Sequence, residues 1–359
     1  MTTIVLSAGG TGGHLFPAQA LAAELERRGR TIVVMTDARG RNYNAAFPGA
    51  SIQTVPSATF AGVLSLLTAP FAILAGVLVG LSKLLRLKPA AVIGFGGYPS
   101  LPVMIAAGLG GFPTIIHEQN AVLGRVNRLV AGFVRAIAAS FPLVRFAPKD
   151  PARSVFTGNP VRPEAAALAG APYEAPSGES TIYLLVFGGS QGARALSELV
   201  PAAVAKLPQA LRARLAIVQQ CRPEDIDMVR AAYAGANVEL ASFFSDLPRR
   251  MARAHLVISR SGASTVSELA VIGRPAILIP YPFATDDHQT ANADVLARAG
   301  AAWTIQQRDL TADKLAAMLE QAFADPAALA ARAAAARALG KPDAARALAD
   351  LVDRIGRAA

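Results

Sequence analysis

The sequence predicts an α/β protein built from two doubly wound, Rossmann-like halves, which we expect to face each other across a cleft. Near the start, the apolar segment 4–7 runs into a glycine-rich turn at residues 8–13 and then into a helix-forming stretch, 17–28. The same order of strand, glycine turn and helix begins again at residues 182–187. Short apolar strands that alternate with helices are typical of parallel sheets covered on both faces.

Further strands in the first half each end in a turn with polar or glycine residues. We predict them at residues 31–37, 91–94, 114–117 and 136–139. Open parallel sheets bind ligands at the carboxyl ends of their strands, so these turns are candidate sites. The first glycine turn lacks the third glycine of the G-x-G-x-x-G fingerprint, because Leu15 stands there. This argues against a nicotinamide-dependent enzyme.

A stretch rich in turn formers at residues 156–163 and a Pro/Ser/Gly/Glu tract at residues 172–180 indicate a domain boundary. We therefore predict an N-terminal domain over residues 1–160, a second domain over residues 161–340 and a final helical segment over residues 341–359. Strands of the second domain are predicted at residues 182–187, 215–219, 238–243, 256–259, 276–280 and 302–305.

Composition narrows the classes of function. The 359 residues are 53% hydrophobic, 17% charged and carry a net charge of +10, without a helix-turn-helix, zinc-finger or aromatic-interleaved basic pattern, so nucleic acid is the weakest candidate partner. The single cysteine, Cys221, fits a reducing compartment. No cluster of Cys and His has metal-ligand spacing, and we expect neither a metal nor a cofactor. The residues after Met1 lack a basic signal-peptide region, so we expect a cytoplasmic location.

Residues 61–82 carry no charged side chain, although their length would suit a bilayer span. A chain crossing here would place the next strand candidate, residues 90–94, beyond the membrane. We therefore favour a helix or a helical hairpin interrupted at Pro70 and lying in the membrane interface, over an ordinary buried helix or a true span. The candidates for insertion are Leu64, Leu66, Leu67, Phe71, Leu74 and Leu78. The cations that follow are Lys83, Arg86 and Lys88.

We predict the main binding site of the second domain at residues 259–268, where a strand is followed by a turn of small residues and by the start of a helix. A helix start leaves backbone N–H groups unpaired and carries the positive end of the helix dipole, which suits a diphosphate beside Gly262 and Ala263. Glu268, one turn later, would accept hydrogen bonds from the hydroxyls of a ribose. The alternative interpretation is a helix capped by Ser or Thr with a solvated glutamate.

Two residues in turns of the first domain are candidate bases. His14 follows the first glycine turn, and the ordinary pKa of a histidine lies near neutrality, which suits removal of a hydroxyl proton. A capping or packing role is its alternative. Glu118 is the second candidate, with a structural role in its own turn as the alternative. Arg162 and helix-start N–H groups would stabilise a departing diphosphate without a metal.

Asp286 and Asp287 directly precede a helix, so we interpret them as N-capping residues and not as metal ligands. Gln289 and Asn292 follow on that helix at positions i and i+3. They would present amides to sugar hydroxyls together, or else be solvated. Ser190, in the second glycine turn, would help to enclose the diphosphate.

Seven motifs in order along the chain resemble those of the bacterial MurG family. They are GGTGGH (9–14), GFGGYPS (94–100), HEQN (117–120), TGNPVR (157–162), GGSQGA (188–193), SRSGA with TVSE (259–268), and DHQ with a following Asn (287–292). Each motif alone is weak, but together they cover the chain from end to end.

The resemblance implies a GT-B fold and an inverting transfer of N-acetylglucosamine from UDP-N-acetylglucosamine to the muramyl sugar of lipid I, undecaprenyl-pyrophosphoryl-MurNAc-pentapeptide. The product would be lipid II, for peptidoglycan synthesis and so for cell wall biogenesis, cell shape and cell division. The resemblance also implies a peripheral protein on the cytoplasmic side of the cell inner membrane, contacting anionic lipids, and a final helix that folds back on the first domain.

The residues that the resemblance assigns fall into two sets. Those on the donor side are Arg162, Ser190, Phe244, Ala263, Ser264, Thr265, Val266, Ser267, Glu268 and Gln289. Those near the donor sugar and the acceptor are Thr11, Gly12, Gly13, His14 and Asn120. The turn at residues 219–222 departs from the family, because Gln-Gln-Cys-Arg stands where the family often has His, Gln and then Gly, so a nucleotide contact there is in doubt.

Three rival interpretations remain. The first is a GT-B enzyme that acts on another lipid, and the second is an epimerase of UDP-N-acetylglucosamine on the same architecture. The third is a nucleotide sensor at a membrane surface without turnover. An epimerase would need no interfacial segment, so residues 61–82 argue against it.

Overall fold

The structure, a computed structural model, describes residues 2–9, 12–40, 46–58, 63–143, 145–148, 150–189 and 192–357. The chain divides into two compact units. Unit 1 consists of Met1–Arg162 together with Lys341–Ala359, and unit 2 consists of Pro163–Gly340. Each unit is a parallel sheet with helices on both faces, which confirms the predicted α/β class of two doubly wound halves.

Unit 1 contains a seven-stranded sheet whose paired strands all run parallel, in the order β3-β2-β1-β4-β5-β6-β7. The strands are β1 (Thr3–Ser7), β2 (Thr31–Thr36), β3 (Ser51–Thr54), β4 (Ala91–Gly94), β5 (Thr114–Glu118), β6 (Ala136–Ala139) and β7 (Ser154–Phe156). The helices of this unit are α1 (Gly12–Arg27), α2 (Val63–Leu87), α3 (Ser100–Leu109), α4 (Arg125–Val130) and, from the chain end, α14 (Ala344–Arg357).

Two apolar cores lie on opposite faces of the unit 1 sheet, because alternate residues of each strand point to opposite sides. Ile4 and Leu6 of β1 pack toward α1 and α14, whereas Val5 packs toward the face of α2 and α3. Central strands buried on both faces must be apolar throughout, which explains the uninterrupted runs seen in the sequence. The sheet therefore holds its carboxyl-end turns on a rigid frame.

Unit 2 contains a six-stranded parallel sheet in the order β10-β9-β8-β11-β12-β13. The strands are β8 (Ile182–Phe187), β9 (Leu215–Gln220), β10 (Asn237–Ala241), β11 (Leu256–Ser259), β12 (Ala276–Leu278) and β13 (Ala302–Thr304). The helices are α5 (Pro163–Ala166), α6 (Arg194–Lys206), α7 (Gln209–Arg214), α8 (Ile226–Ala232), α9 (Leu247–Arg253), α10 (Ala263–Ile272), α11 (His288–Arg298), α12 (Ala312–Ala324) and α13 (Pro326–Leu339). Counted within each unit, the first six strands share the order 3-2-1-4-5-6.

The chain returns to unit 1 through its last helix, α14. Leu348 and Val352 of this helix are fully buried in the core beside α1. Asp353 accepts hydrogen bonds from Arg28 at 3.1 Å and from Arg30 at 2.7 Å. Apolar burial and these ion pairs together hold α14 against unit 1.

Of the two shapes expected for this segment, the structure has the single helix, α2, and the hairpin interrupted at Pro70 is wrong. The helix runs unbroken through Pro70, whose side chain is exposed. The helix packs closely against its neighbours at two glycines. A Cβ on Gly76 would lie 2.1 Å from the carbonyl oxygen of Pro56, and a Cβ on Gly80 would lie 3.3 Å from Ala106 of α3. Glycine at these two positions lets α2 approach its neighbours closely.

The exposed face of α2 is strongly apolar. Phe71 is 75% exposed, Leu74 58% and Leu78 60%. The segment Thr68–Leu87 is long and apolar enough to cross a membrane by length and composition, and it is the one such helix among the described residues. The side chains of Leu64, Leu66 and Leu67 lie outside the described part of the chain.

Candidate active site

A pair of glycines after β4 forms the floor beneath His14. Gly96 and Gly97 have φ of +82° and +74°, a backbone conformation that residues with a side chain rarely adopt. A Cβ on Gly97 would lie 3.5 Å from the His14 ring and 3.3 Å from the carbonyl oxygen of Gly9. The GFGGYPS motif therefore brings the turns after β1 and β4 together with the imidazole between them.

His14 lies in the first turn of α1, which begins at Gly12, five residues before the predicted start of this helix. Its ring is half-buried, and Nδ1 lies 3.2 Å from Oε1 of Gln119. Gln119 follows β5, so the contact joins residues 105 positions apart. Residues from three strand-to-helix connections thus meet at one edge of the sheet, two through their side chains and the third through glycine backbone.

Gln119 is buried and is held by several contacts of its own. Its Nε2 donates to the carbonyl oxygen of Phe95 at 3.0 Å and lies 3.1 Å from Nδ1 of His117. His117 is fully buried against the Phe95 ring, and its Nε2 lies 3.3 Å from Oγ of Ser140. Loss of solvation lowers the pKa of His117 to about 4. A hydrogen bond with the backbone of Gly158 opposes this shift, and the nearby His14 adds slightly to it.

Glu118 has a different environment from the histidines. Its Oε1 accepts hydrogen bonds from the backbone and side chain of Asn120, at 3.0 and 3.2 Å. Its Oε2 accepts from the backbone of Gly124 and the side chain of Asn127, both at 2.8 Å. The buried carboxylate therefore holds the turn between β5 and α4, which is the structural alternative that the sequence left open for Glu118.

Other predicted site residues of unit 1 lie near His14, and one of them is not among the described residues. Arg162 places its guanidinium 5.9 Å from the ring centroid of Phe16, two residues beyond His14. Gly12 and Gly13 form the start of α1, and Gly13 is exposed. Thr11 lies outside the described residues. Gly12, Gly13 and His14 therefore lie in the first turn of α1, with Arg162 close to Phe16 of the same helix.

Helix α10 begins in unit 2 at the turn after β11, as the sequence predicts. Gly262 occupies the N-cap position, and no side chain in the described part of the chain caps this helix. The alternative of a Ser- or Thr-capped helix is therefore wrong for the described residues. A Cβ on Gly262 would meet nothing within 4 Å. Uncapped N–H groups beside open space are suited to an anion.

Burial along this turn is graded. Ser264 and Thr265 are partly exposed, whereas Ala263, Val266, Ser267 and Glu268 are buried. Glu268 is 3% exposed, so the solvated glutamate of the alternative interpretation is also wrong. The hydroxyls of Ser259 and Ser267 are buried and have no hydrogen-bond partner among the described residues. Buried hydroxyls in folded proteins usually have a hydrogen-bond partner, which a water or an ion can supply.

Gln289 connects the turn after β11 with the turn after β12. Its Oε1 accepts from the backbone N–H of Ser261 at 3.2 Å and from that of Tyr281 at 2.9 Å. Asn292, three residues on, donates from Nδ2 to the carbonyl oxygen of Ser261 at 3.1 Å. Two N–H groups fix the Gln289 amide, so its Nε2 is the end that can donate elsewhere.

Arg260, in the SRSGA motif, connects the turn after β11 with the residues that follow β12. It is 8% exposed and donates to the carbonyl oxygens of Ile279 and Pro280, both at 3.1 Å. Its guanidinium also lies 5.6 Å from the ring centroid of Tyr281. Burial lowers the pKa of Arg260. An arginine directly after a buried strand is the signal that would have found it, because buried cations need nearby acceptors.

Asp287 occupies the N-cap position of α11, as expected, but its side chain makes no capping hydrogen bond, so the expected side-chain cap is wrong for this residue. Asp286 and Asp287 both have positive φ, +53° and +52°. Asp287 accepts from the hydroxyl of Thr290 at 2.6 Å instead. Left-handed backbone at two consecutive non-glycine residues stores strain next to Gln289. Within the described residues, no group of three or more His, Cys, Asp or Glu side chains is placed to hold a metal ion.

Phe244 and Gln219 lie near the carboxyl ends of the neighbouring strands β10 and β9 in unit 2. Phe244 follows β10, is 7% exposed and lies under the guanidinium of Arg250 at 4.3 Å. Gln219, the first residue of the segment that departs from the family, lies in β9, is buried and accepts from the hydroxyl of Tyr233 at 2.6 Å. It therefore has a packing role. Ser190 lies outside the described residues.

Comparison with known protein families defines the class of protein. The glycosyltransferase family 28 N-terminal domain matches residues 4–139, and the glycosyltransferase family 28 C-terminal domain matches residues 183–348. The first match lies within unit 1, and the second covers most of unit 2 and continues to residue 348 in the last helix, α14. Together they include the turns described above. The protein is thus a two-domain glycosyltransferase by fold and by sequence.

Full-length relatives give the family within that class. The UDP-N-acetylglucosamine--N-acetylmuramyl-(pentapeptide) pyrophosphoryl-undecaprenol N-acetylglucosamine transferase of Paramagnetospirillum magneticum is 54% identical, over 97% of this chain and 95% of that protein. The protein of the same name from Rhodospirillum centenum is 53% identical, over 98% and 94%. The crystal structure of Acinetobacter baumannii MurG has a TM-score of 0.83 at 31% identity, covering 99% of this chain and 100% of that one. The chain belongs to the MurG family, which confirms the resemblance in the motifs and the GT-B fold class.

Proposed function

We propose that this protein transfers N-acetylglucosamine from UDP-N-acetylglucosamine to the muramyl sugar of lipid I, with inversion, to form lipid II. Relatives that share half of its residues carry the name of this activity. The observation that carries the proposal is the half-buried His14, bound to Gln119 and resting on Gly96 and Gly97. It gives a family 28 chain a positioned proton acceptor, which transfer to a hydroxyl group requires.

His14 acts in this proposal as the general base. The hydroxyl oxygen of the acceptor sugar attacks C1 of N-acetylglucosamine as its proton passes to the imidazole. The bond between C1 and the phosphate oxygen breaks, and UDP leaves with the electron pair. The products are lipid II and UDP, and the imidazolium returns its proton to solvent. Glu118 is not the base in this proposal, because four donors already occupy its carboxylate.

Unit 2 binds the donor in this proposal. N–H groups at the start of α10, with Ser264 and Thr265, bind the diphosphate, and their fixed dipoles stabilise the charge that develops as UDP leaves. Glu268 accepts from the ribose hydroxyls, and Nε2 of Gln289 donates to a sugar hydroxyl. Arg162, which belongs to unit 1, contributes a positive charge toward the diphosphate in this proposal. The other proposed donor contacts are Ser190, Phe244, Ala263, Val266, Ser267 and Asn292, and those for the acceptor are Thr11, Gly12, Gly13 and Asn120.

The apolar face of α2 supports attachment to a membrane, where lipid I resides. Phe71, Leu74 and Leu78 are exposed, and each would contribute about 1.5–3 kcal/mol if it were buried in lipid. Arg86 and Lys88, at the end of the helix, are exposed and suited to anionic lipid phosphates. Lys83 donates to Gln53 at 3.2 Å. We propose peripheral attachment to the cytoplasmic side of the inner membrane, and through lipid II a part in cell wall growth, cell shape and division.

A direct assay tests the proposed reaction. Labelled UDP-N-acetylglucosamine and a lipid I analogue are incubated with the protein, with and without EDTA, and the butanol-extractable label is counted. We expect product in both, because N–H groups and Arg162 take the place of a metal ion in the proposal. Activity abolished by EDTA contradicts the metal-free mechanism. No transfer to lipid I, together with a thermal shift by UDP alone, contradicts the transferase and favours the sensor.

A further inference from the structure

We infer that Gln119 is a positioning residue that fixes the tautomer of His14, and that the buried His117 fixes Gln119 in turn. The inference rests on the proposed role of His14 as the base, and it identifies the atom that receives the proton as Nε2. All of these residues belong to unit 1. The chain of contacts runs from Ser140 through His117 and Gln119 to His14.

The orientation of the Gln119 amide follows from its neighbours. Nε2 lies 3.0 Å from the carbonyl oxygen of Phe95 and 3.4 Å from that of His117. Carbonyl oxygens only accept, so the amide nitrogen must face them, since the reversed amide would set oxygen against oxygen. Oε1 therefore faces Nδ1 of His14, and because this oxygen cannot donate, Nδ1 carries the proton. The neutral ring of His14 then has no proton on Nε2.

His117 must have the opposite tautomer. The amide nitrogen of Gln119 donates toward Nδ1 of His117 at 3.1 Å, so this atom accepts and the proton lies on Nε2, 3.3 Å from Oγ of Ser140. A protonated His117 would direct an N–H at the N–H group of Gln119 and break the arrangement. Burial prevents this at neutral pH, because it lowers the pKa of His117 to about 4.

The same contact stabilises the product of proton transfer. When Nε2 of His14 accepts a proton, Nδ1–H still donates to Gln119, and a hydrogen bond from a charged donor is stronger than one from a neutral donor. A base whose orientation is set by a third group is common to many enzymes, and an amide serves in that place in Cys-His-Asn sites. Gln119 would therefore act on the rate of the reaction more than on substrate binding.

Nitrogen NMR of the wild-type protein tests the tautomers directly. The chain has four histidines, so 15N-histidine labelling with single His→Gln variants assigns each ring. We expect His14 to be protonated on Nδ1 and His117 on Nε2 at pH 7.5. A wild-type spectrum with His14 protonated on Nε2 overturns the inference. This measurement requires no Gln119 variant to fold.

Gln119→Met tests the consequence for catalysis, because methionine has a similar length and no acceptor for Nδ1–H. We expect the His14 signals to shift toward the Nε2–H form, and kcat to fall about 10- to 100-fold with KM for UDP-N-acetylglucosamine unchanged within about twofold. Gln19→Met is the matched control. Gln19 lies on α1, the helix that holds His14, and donates to the carbonyl oxygen of Ala46. Gln19→Met should therefore leave kcat and the His14 signals unchanged.

The outcomes separate this inference from the proposed function. A Gln119→Met enzyme with the wild-type tautomer overturns the positioning role, whether or not kcat falls, because a fall without a tautomer change reports only altered packing. An active His14→Ala enzyme overturns the base, and with it the catalytic part of the inference. The wild-type tautomer pattern would then still stand as a measured property of the ring.

Discussion

The two units each place a glutamine in the connection that follows their fifth strand, and they use it in opposite ways. In each, the glutamine follows the fifth strand of the unit and bonds to the turn after the fourth strand. Gln119 turns its amide nitrogen to a backbone carbonyl and offers its oxygen to His14. Gln289 turns its oxygen to the backbone N–H groups of Ser261 and Tyr281, which leaves its nitrogen as the donor.

The difference follows from what each turn exposes. The unit 1 turn after β4 presents the carbonyl oxygen of Phe95, whereas the helix start after β11 presents N–H groups. A site lined by acceptors orients a protonated ring nitrogen, and a site lined by N–H groups attracts an anion. One architecture, used twice, therefore provides a base in unit 1 and a diphosphate site in unit 2 under the proposed function.

The largest effect is expected from His14→Ala, which would break the unit 1 side of the comparison. Removing a general base lowers kcat by about 10²- to 10⁴-fold. Binding of UDP should stay within twofold of the wild type, because the proposed donor contacts of unit 2 remain. Steady-state kinetics with a lipid I analogue and calorimetry with UDP measure the two quantities. Gln19→Ala on the same helix is the control, and a His14→Ala enzyme within threefold of wild-type kcat would remove His14 as the base.

Glu268→Gln tests the unit 2 side and should give the reverse pattern. A hydrogen bond to a charged group contributes about 1.5–3 kcal/mol, so UDP binding should weaken about 10- to 100-fold while kcat at saturating donor changes much less. Calorimetry with UDP measures the affinity. Glu320→Gln, on the exposed face of α12 in the same unit, is the matched control. Unchanged affinity for UDP would exclude Glu268 from ribose binding.

A third prediction concerns stability and depends on His117. Its pKa is about 4 in the folded protein and near 6.5 in the unfolded chain, so between these values the unfolded state binds more protons. The free energy of unfolding should therefore fall as pH drops from 6.5 toward 4, by up to about 1.4 kcal/mol per pH unit from this residue. The burial that lowers the pKa of His255 acts in the same direction.

Urea unfolding of the wild type and of His117→Gln, from pH 4 to 8, isolates the contribution of His117. The variant lacks the titrating ring, so its curve should be shallower within the window and parallel to the wild type above pH 6.5. Equal slopes throughout would mean that His117 is not buried as a neutral ring. That result would contradict a neutral His117, and the proposed orientation of Gln119 depends on His117 being neutral.

Most of the fold could be predicted from the sequence because it is encoded locally. Apolar runs marked the central strands, and the repeat of strand, glycine turn and helix marked both units. The short edge strands β3 and β7 were missed, since Ser51–Thr54 and Ser154–Phe156 are partly polar and have no apolar run. The early start of α1 was missed because glycine disfavours helices and two glycines open this one.

The site was predictable in its residues and not in its contacts. His14 and the helix start at Gly262 could be named, because a histidine beside a glycine turn and a small-residue helix start have distinct chemistry. The contact of Gln119 with His14 and the bridge that Gln289 makes between two turns could not be predicted. Each depends on a partner far away in the chain, and a glutamine amide has no preferred orientation until its neighbours are known.

The smallest effect should come from Gln289→Glu, which sharpens the comparison most. A carboxylate can still accept from Ser261 and Tyr281, so the bridge between the two turns should persist, but the donor that Nε2 supplies is lost. One neutral hydrogen bond is worth about 0.5–1.5 kcal/mol, so KM for UDP-N-acetylglucosamine should rise about 2- to 10-fold with an unchanged melting temperature. Gln289→Ala removes the bridge as well and should lower the melting temperature. If both variants bind the donor as well as the wild type does, Gln289 only supports the turn, and its proposed hydrogen bond to the sugar is wrong.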